Sequence, residues 1–165
     1  MPEMILIGWV HTIIAIVALI AGFYTLAVYK VITAEQMTGK IYLLCTLITA
    51  VTALVIYQRG FFGPAHALAV LTLLALIAGF LVTKIPALSK IAPYFQAFCF
   101  SGTLLFHMIP AITDGLLRLP VGDPVLTDFE SPVLKGFYLA FMVLFLVGYL
   151  CQFLWIKNRN NQQAV

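Results

Sequence analysis

The sequence predicts an all-α integral membrane protein, a helical bundle of five transmembrane helices of which four form an up-down core. Two observations carry this prediction. Hydrophobic residues make up 63% of the 165 residues and charged residues only 9%, a balance that ordinary water-soluble domains do not have, and the mean hydropathy is +1.08. Apolar runs of about 20 residues, the length that crosses a bilayer, also recur five times. The whole chain is therefore interpreted as one membrane domain.

Each predicted helix is an apolar run bounded by charged residues, glycine or proline. The runs predict helices at about 5–29, 41–58, 64–83, 92–112 and 134–156. Because the first three links are short, consecutive helices are expected to be antiparallel neighbours. The fourth link, about 113–134, contains Pro120, Gly122, Pro124 and Pro132 and cannot be one continuous helix. We expect it to lie over the outer end of the bundle like a lid.

The charged residues predict the orientation of the bundle. Six cations flank one side of the membrane, Lys30, Lys40, Lys84, Lys90, Lys157 and Arg159. The other side has Arg59, Arg118 and Lys135 together with Asp114, Asp123, Asp128 and Glu130. Because Lys and Arg concentrate on the cytoplasmic side, we expect a bacterial inner-membrane protein with its N-terminus outside and its C-terminus inside. Met1-Pro2-Glu3 lacks the basic stretch of a cleavable signal, so the first helix is expected to stay as an anchor.

The three histidines are the main functional signal of the sequence. His11, His66 and His107 are its only histidines, and each lies near one end of a different predicted helix. On the predicted topology all three fall in the outer leaflet, where an unpaired imidazole is costly. One histidine there would be interpreted as a structural group that bonds water or a backbone carbonyl. Three at one depth favour a shared haem or metal site, and the structural interpretation stays open as the alternative.

The spacing of helices in a bundle suggests which histidines would hold a haem. A haem gripped from both faces needs its ligand helices on the order of 12–14 Å apart, farther than the roughly 8–10 Å between packed neighbours. Helices one and three are diagonal partners in an up-down bundle, so His11 and His66 are the predicted axial ligands of one haem b. His107 would stand beside both, as a hydrogen-bonding group or as a replacement ligand. Arg59 or Arg118 is expected near the propionates.

Small and polar residues predict the buried faces of three helices. They are Ala15, Ala18 and Gly22 with His11 on helix one, Tyr42, Thr46 and Thr49 on helix two, and Gln96 and Thr103 with His107 on helix four. Asp114 joins the last of these faces if helix four continues past Pro110. The hexapeptide Ala-Leu-Ile-Ala-Gly-Phe also occurs twice, at 18–23 and 75–80. This repeat suggests two helical hairpins related by an axis along the membrane normal.

Two motifs stand at the starts of helices two and three. They are Thr38-Gly39-Lys40-Ile41-Tyr42 and Phe62-Gly63-Pro64-Ala65-His66. Together with His11 they resemble a family of uncharacterised bacterial membrane proteins that is known only as a domain of unknown function. The likeness covers about residues 5–85. Members often have a basic, histidine-containing start to helix four, where this chain has Ile91-Ala92-Pro93-Tyr94-Phe95. The architecture is similar to that of b-type cytochrome membrane subunits, and this implies haem held by helix histidines.

The predicted function is electron transfer by one haem b near the periplasmic face, between quinone in the bilayer and a periplasmic redox partner. Whether the chain is itself an enzyme, such as a quinone-linked oxidoreductase, stays open. Trp9, Tyr57, Phe61 and Phe62 lie at the expected depth of the cofactor and would wall it. An aromatic belt at the membrane interface explains these four residues equally well.

Two other functions remain open. In the first, the three histidines bind zinc or copper, with Asp114 as a fourth ligand or base, in a membrane metalloenzyme or metal carrier. In the second, the chain is a small transporter or a non-catalytic subunit beside a partner membrane subunit, and its histidines are structural groups or proton relays. Cys45, Cys99 and Cys151 lack metal or redox spacing and are interpreted as packing residues. No basic tract for nucleic acid and no phosphate-binding glycine loop is present.

Overall fold

The computed structural model describes residues 6–56 and 62–163, and this part of the chain is helical without strands. The helices are α1 (Leu6–Tyr29), α2 (Met37–Val55), α3 (Pro64–Leu81), α4 (Ala92–Arg118) and α5 (Pro132–Gln163). All five are long and apolar enough to cross a membrane. The predicted all-α membrane bundle is confirmed, and apolar helix surfaces contact membrane lipid. Tyr57, Arg59 and Phe61 lie outside the described residues.

Four helices pack in sequence order. α1 contacts α2, α2 contacts α3 and α3 contacts α4, while fewer contacts between α1 and α4 close the ring. α5 packs mainly on the outer side of α4. In the apolar stretch of α4 that can cross the membrane, 50% of the residues are buried inside the protein, against 11% in the corresponding stretch of α5. α4 is therefore the central helix of the fold, and α5 exposes most of its surface.

The up-down order places two kinds of charge at opposite ends. The first and third links and the last turns of α5 form what we call the basic end, which carries Lys30, Lys40, Lys84, Lys90, Lys157 and Arg159. The opposite end, called the acidic end, carries the fourth link with Asp123, Asp128 and Glu130, and beside it Asp114, Arg118 and Lys135. Two 3₁₀ turns, Val82–Lys84 and Pro86–Leu88, form most of the third link.

The fourth link is shorter than predicted, because α4 continues to Arg118 and α5 begins at Pro132. The link is residues 119–131 rather than 113–134. An ion pair between Asp114 and Arg118, four residues apart and 3.0 Å between Oδ1 and Nε, supports the last turns of α4. The link folds back on this helix end, since Leu126 N–H donates to the Leu116 carbonyl over 2.9 Å.

The middle of the bundle is packed by two contacts between a glycine and an aromatic ring, which we call the ring layer. They join Gly22 to Tyr42 and Gly79 to Phe100. A Cβ atom at Gly22 would lie 2.8 Å from the Tyr42 ring, and one at Gly79 would lie 2.5 Å from the Phe100 ring. Both rings are fully buried. Because both glycines belong to the repeated hexapeptide, the repeat marks where an aromatic residue of the next helix approaches the backbone.

Candidate functional site

Between the ring layer and the acidic end, α1, α2 and α4 bring a group of polar side chains together. We call it the polar layer, and its members are His11, Thr46, Thr49, Thr52 and His107. The three threonines are spaced three residues apart on α2, so they lie on one side of that helix. Thr46, Thr49 and His107 are buried, and His11 is partly buried. Sequence reasoning missed Thr52, although its spacing from Thr46 and Thr49 was a usable signal.

His11 is held by α2 in a defined tautomer. Its Nδ1 lies 2.9 Å from Thr52 Oγ1. The Thr52 hydroxyl has one proton, which it donates to the backbone carbonyl of Ile48 or Thr49, at 2.9 and 3.0 Å. We therefore assign the Thr52 oxygen as the acceptor and place the proton of the neutral imidazole on Nδ1. Nε2 then carries the lone pair, which is the arrangement of histidines that bind a metal while their other nitrogen donates to the protein.

His107 lies deeper in the bundle than His11. Its Nε2 is 3.2 Å from Thr46 Oγ1, and its ring meets the edge of the Tyr42 ring with 6.4 Å between centroids. Thr46 precedes Thr52 by six residues, and this corresponds to about 9 Å along a helix. The two imidazoles are still close enough to interact electrostatically. His107 therefore separates the His11 level from the ring layer.

His66 has a different role, because it caps the start of α3. The Gly63 N–H donates to His66 Nδ1 over 3.1 Å, and the His66 N–H donates to the Gly63 carbonyl over 3.0 Å. The Phe62 ring packs against the imidazole, 5.2 Å between centroids. Because Nδ1 accepts, the neutral ring carries its proton on Nε2. Binding of a metal through Nε2 would require the proton to move to Nδ1 and the capping bond to break.

Arg118, one of the two predicted arginines, lies toward the acidic end together with Asp114. Arg118 forms the ion pair with Asp114, whose side chain is 60% exposed. The Asp114 carboxylate also interacts electrostatically with His11. Arg118 is thus at the edge of the His11 level with a carboxylate partner. Arg59 lies outside the described residues.

Two features show incomplete packing beside His11. The Thr49 hydroxyl is buried and has no hydrogen-bond partner among the described residues. Gly8, three residues before His11 on α1, is buried, yet no described residue lies within 4 Å of a Cβ atom built on it. The two features lie on either side of the His11 level, Gly8 toward the acidic end and Thr49 toward the ring layer, and each is what the binding site of an added group would show.

The described residues contain no group of three or more His, Cys, Asp or Glu side chains placed to hold a metal ion. The three-histidine zinc or copper site therefore gains no support from the geometry. The three cysteines are free thiols. Cys99 is part of the buried apolar core.

No family model, curated protein or solved structure matches this chain. The resemblance to the uncharacterised bacterial family stays a prediction. The residues of its motifs have structural roles here. A Cβ atom at Gly39 would overlap the Thr33 carbonyl oxygen, Tyr42 belongs to the ring layer, and Gly63, Pro64 and His66 begin α3. The fold and the contacts define the class of the molecule, a multi-pass helical membrane protein with a polar layer inside its bundle.

Proposed function

We propose that this protein is an electron-transfer protein of the bacterial inner membrane that holds one haem b in the polar layer, near the periplasmic face. The observation that supports it best is the contact of 2.9 Å between His11 Nδ1 and Thr52 Oγ1, from which the tautomer is assigned. With Nδ1 donating to Thr52, Nε2 is left as a ligand beside the orphaned Thr49 hydroxyl and the space at Gly8. The six cations of the basic end favour placing that end in the cytoplasm. The N-terminus would then lie outside, and the polar layer would lie in the outer half of the bundle.

In this proposal His66 would be the second histidine that holds the haem. α1 and α3 are not among the packed helix pairs of the described chain, and a haem gripped from both faces needs such separated helices. His66 would exchange its bond from the Gly63 N–H for the iron, so haem binding is expected to remodel the start of α3. His107 is the replacement ligand if His66 keeps its cap.

The remaining residues shape the proposed site. Haem supplies one-electron chemistry, and the protein supplies ligands, orientation and electrostatics. His107, fixed by Thr46, closes the site toward the ring layer. Arg118 offers a guanidinium to the propionates at the edge of the site, with Asp114 as its present partner. Quinone in the bilayer and a periplasmic redox protein would be the electron donor and acceptor, in either order.

A second candidate function is that of a non-catalytic membrane subunit. It is favoured by the hydrogen bonds of the histidines, since each of the three imidazoles is already bonded within the protein. The large exposed surface of α5 would then face a partner subunit. In this case the imidazoles stabilise helix contacts and bind no cofactor.

Absorption spectra of the purified protein, oxidised and then reduced with dithionite, test the proposal together with haem and metal content per chain. We expect a six-coordinate b-type spectrum at one haem per chain. His11→Ala should lose the haem, whereas the control His107→Leu should keep it with an altered spectrum. A colourless, metal-free protein from cells supplied with haem would favour the second candidate. Stoichiometric zinc or copper would instead revive the three-histidine site.

A further inference from the structure

An apolar groove of about 360 Å³ runs along α1 and the start of α2 on the outside of the bundle. It is lined by Val17, Ile20, Ala21, Tyr24 and Thr38. The four α1 residues are spaced three and four apart, so they form one stripe that runs toward the basic end. The Thr38 hydroxyl in the groove wall already accepts a hydrogen bond from Thr25 over 2.8 Å. Hydrocarbon therefore suits the groove.

The basic end beyond this groove carries a fixed cation, Lys30, which follows the lining residue Tyr24 by six residues at the end of α1. The stripe continues to Ala27, and Lys30 Nζ donates to the Ala27 carbonyl over 2.6 Å. The Lys30 backbone has a φ of 69°. It is held in place because its carbonyl accepts a hydrogen bond from Gln152 Nε2 over 3.0 Å. Gln152 in turn accepts from Ser101 over 2.9 Å. An ammonium group has three donors, so Lys30 retains two for an anion beyond the groove.

The charge around Lys30 is strongly one-sided. The described residues of the basic end carry six cations, Lys30 included, and Glu35 as the acidic residue. Cations at the ends of membrane helices lie at the level of the lipid headgroups, where they attract anionic lipids. A groove that fits hydrocarbon and has an ammonium beyond its end matches the two parts of a phospholipid.

We propose that this groove binds one phospholipid with an anionic headgroup, with an acyl chain along the α1 stripe and the phosphate on the Lys30 ammonium. The site is independent of haem binding. A second apolar groove of about 330 Å³, between α3, α4 and α5, has Ala75, Phe98, Gly102 and Phe145 in its wall. Neither wall contains a cation, and the residues that line the second groove lie at least seven residues along the chain from any lysine or arginine. The second groove is an internal control, since lipid there should show no preference for headgroup charge.

Native mass spectrometry of the full chain tests the site with phosphatidylglycerol and phosphatidylcholine of identical acyl chains. We expect one phosphatidylglycerol per chain to be retained in preference to phosphatidylcholine. Lys30→Met keeps the apolar stem and should lower this preference about fivefold, the factor that one lysine contributes at a membrane surface. The control Lys90→Met removes the same charge from the same end and should change it much less. Val17→Trp fills the groove and should weaken retention while Lys30 is intact.

Several results would overturn the proposal. Equal retention of the two lipids by the unaltered protein would remove headgroup recognition, and equal losses in Lys30→Met and Lys90→Met would show a diffuse charge effect without a site. Unchanged retention in Val17→Trp would separate the lipid from the groove. Displacement by inorganic phosphate alone would indicate an anion site in place of a lipid site. Circular dichroism of each variant checks that the helices are intact, so a loss of lipid is assigned to the site.

Discussion

The ring layer and the polar layer are built by neighbouring turns of the same helices, yet they are packed in opposite ways. In the ring layer, Gly22 and Gly79 leave no room, because Tyr42 and Phe100 fill the space that a side chain would occupy. Beside the polar layer, about one turn from His11 toward the acidic end, Gly8 is buried, yet no described residue lies within 4 Å of a Cβ atom built on it. Glycine therefore allows close contact with an aromatic ring in the ring layer, whereas the glycine near His11 has no such contact among the described residues.

The hydrogen bonds of the two layers differ in the same way. Thr103 donates to the Phe100 carbonyl over 2.7 Å, so its oxygen accepts from the Tyr42 hydroxyl at 2.6 Å. Every hydroxyl of this pair is therefore used beside the ring layer. The Thr49 hydroxyl in the polar layer has no partner among the described residues. A satisfied, closely packed layer can serve as the rigid floor of a site that gains its remaining contacts from a bound group.

Gly79→Ala should have the largest effect, because it breaks the close packing of the ring layer. The new Cβ would lie 2.5 Å from the Phe100 ring and 3.2 Å from Cys99 Cβ. We expect the free energy of unfolding to fall by about 2 kcal/mol, measured by denaturation in detergent micelles. Gly102→Ala is the matched control, since its Cβ would meet only the Phe145 ring at 3.9 Å. Equal stability of the two variants would contradict the assigned role of the ring layer.

Tyr42→Phe should have the next largest effect. It keeps the ring that packs on Gly22 and removes only the hydroxyl bonded to Thr103. We expect a loss of about 1 kcal/mol in the free energy of unfolding, the usual contribution of one hydrogen bond. Tyr24→Phe is a suitable control, because Tyr24 is 55% exposed on the outside of α1. A larger loss in Tyr24→Phe would show that the buried hydroxyl does not stabilise the ring layer.

The sequence contains signals for residues of both layers, but the contacts of Tyr42 and Phe100 with the two glycines were not predicted. Apolar runs identify all five helices, and the repeated hexapeptide contains both Gly22 and Gly79. The burial of Tyr42, Thr46 and Thr49 also follows from their helical spacing. These features depend on local periodicity, which a single sequence contains.

The partners of the histidines could not be predicted, because they depend on which helices touch and at what depth. His11 bonds to Thr52, 41 residues away, and His107 bonds to Thr46, 61 residues away. His66 was predicted as a ligand from its depth, and its capping bond to Gly63 depends on backbone geometry that depth does not reveal. The end of α4 was predicted too early because the apolar run ends before Asp114, whereas the helix continues to Arg118.

Gly8→Ala should stabilise the protein slightly and so sharpen the contrast with Gly79→Ala. The added Cβ meets no atom of the described residues within 4 Å, and alanine favours helix over glycine by about 0.5–1 kcal/mol. We expect the free energy of unfolding to rise by about 0.5 kcal/mol because Gly8 lies in the first turn of α1, where part of this gain is lost. A destabilised Gly8→Ala protein would show that the space beside Gly8 is filled.

Thr49→Val should have the smallest effect, because it removes a hydroxyl that has no partner while keeping the shape of the side chain. In the cofactor-free protein we expect the free energy of unfolding to change by no more than about 0.5 kcal/mol. Thr52→Val is the matched control on the same helix. It breaks the bond to His11 Nδ1 and should lower stability by about 1 kcal/mol. Equal losses would show that Thr49 is bonded like Thr52 and would end the contrast between the layers. Haem titration then separates the two threonines further, since Thr52→Val releases the His11 ring and should weaken haem binding even where Thr49→Val does not.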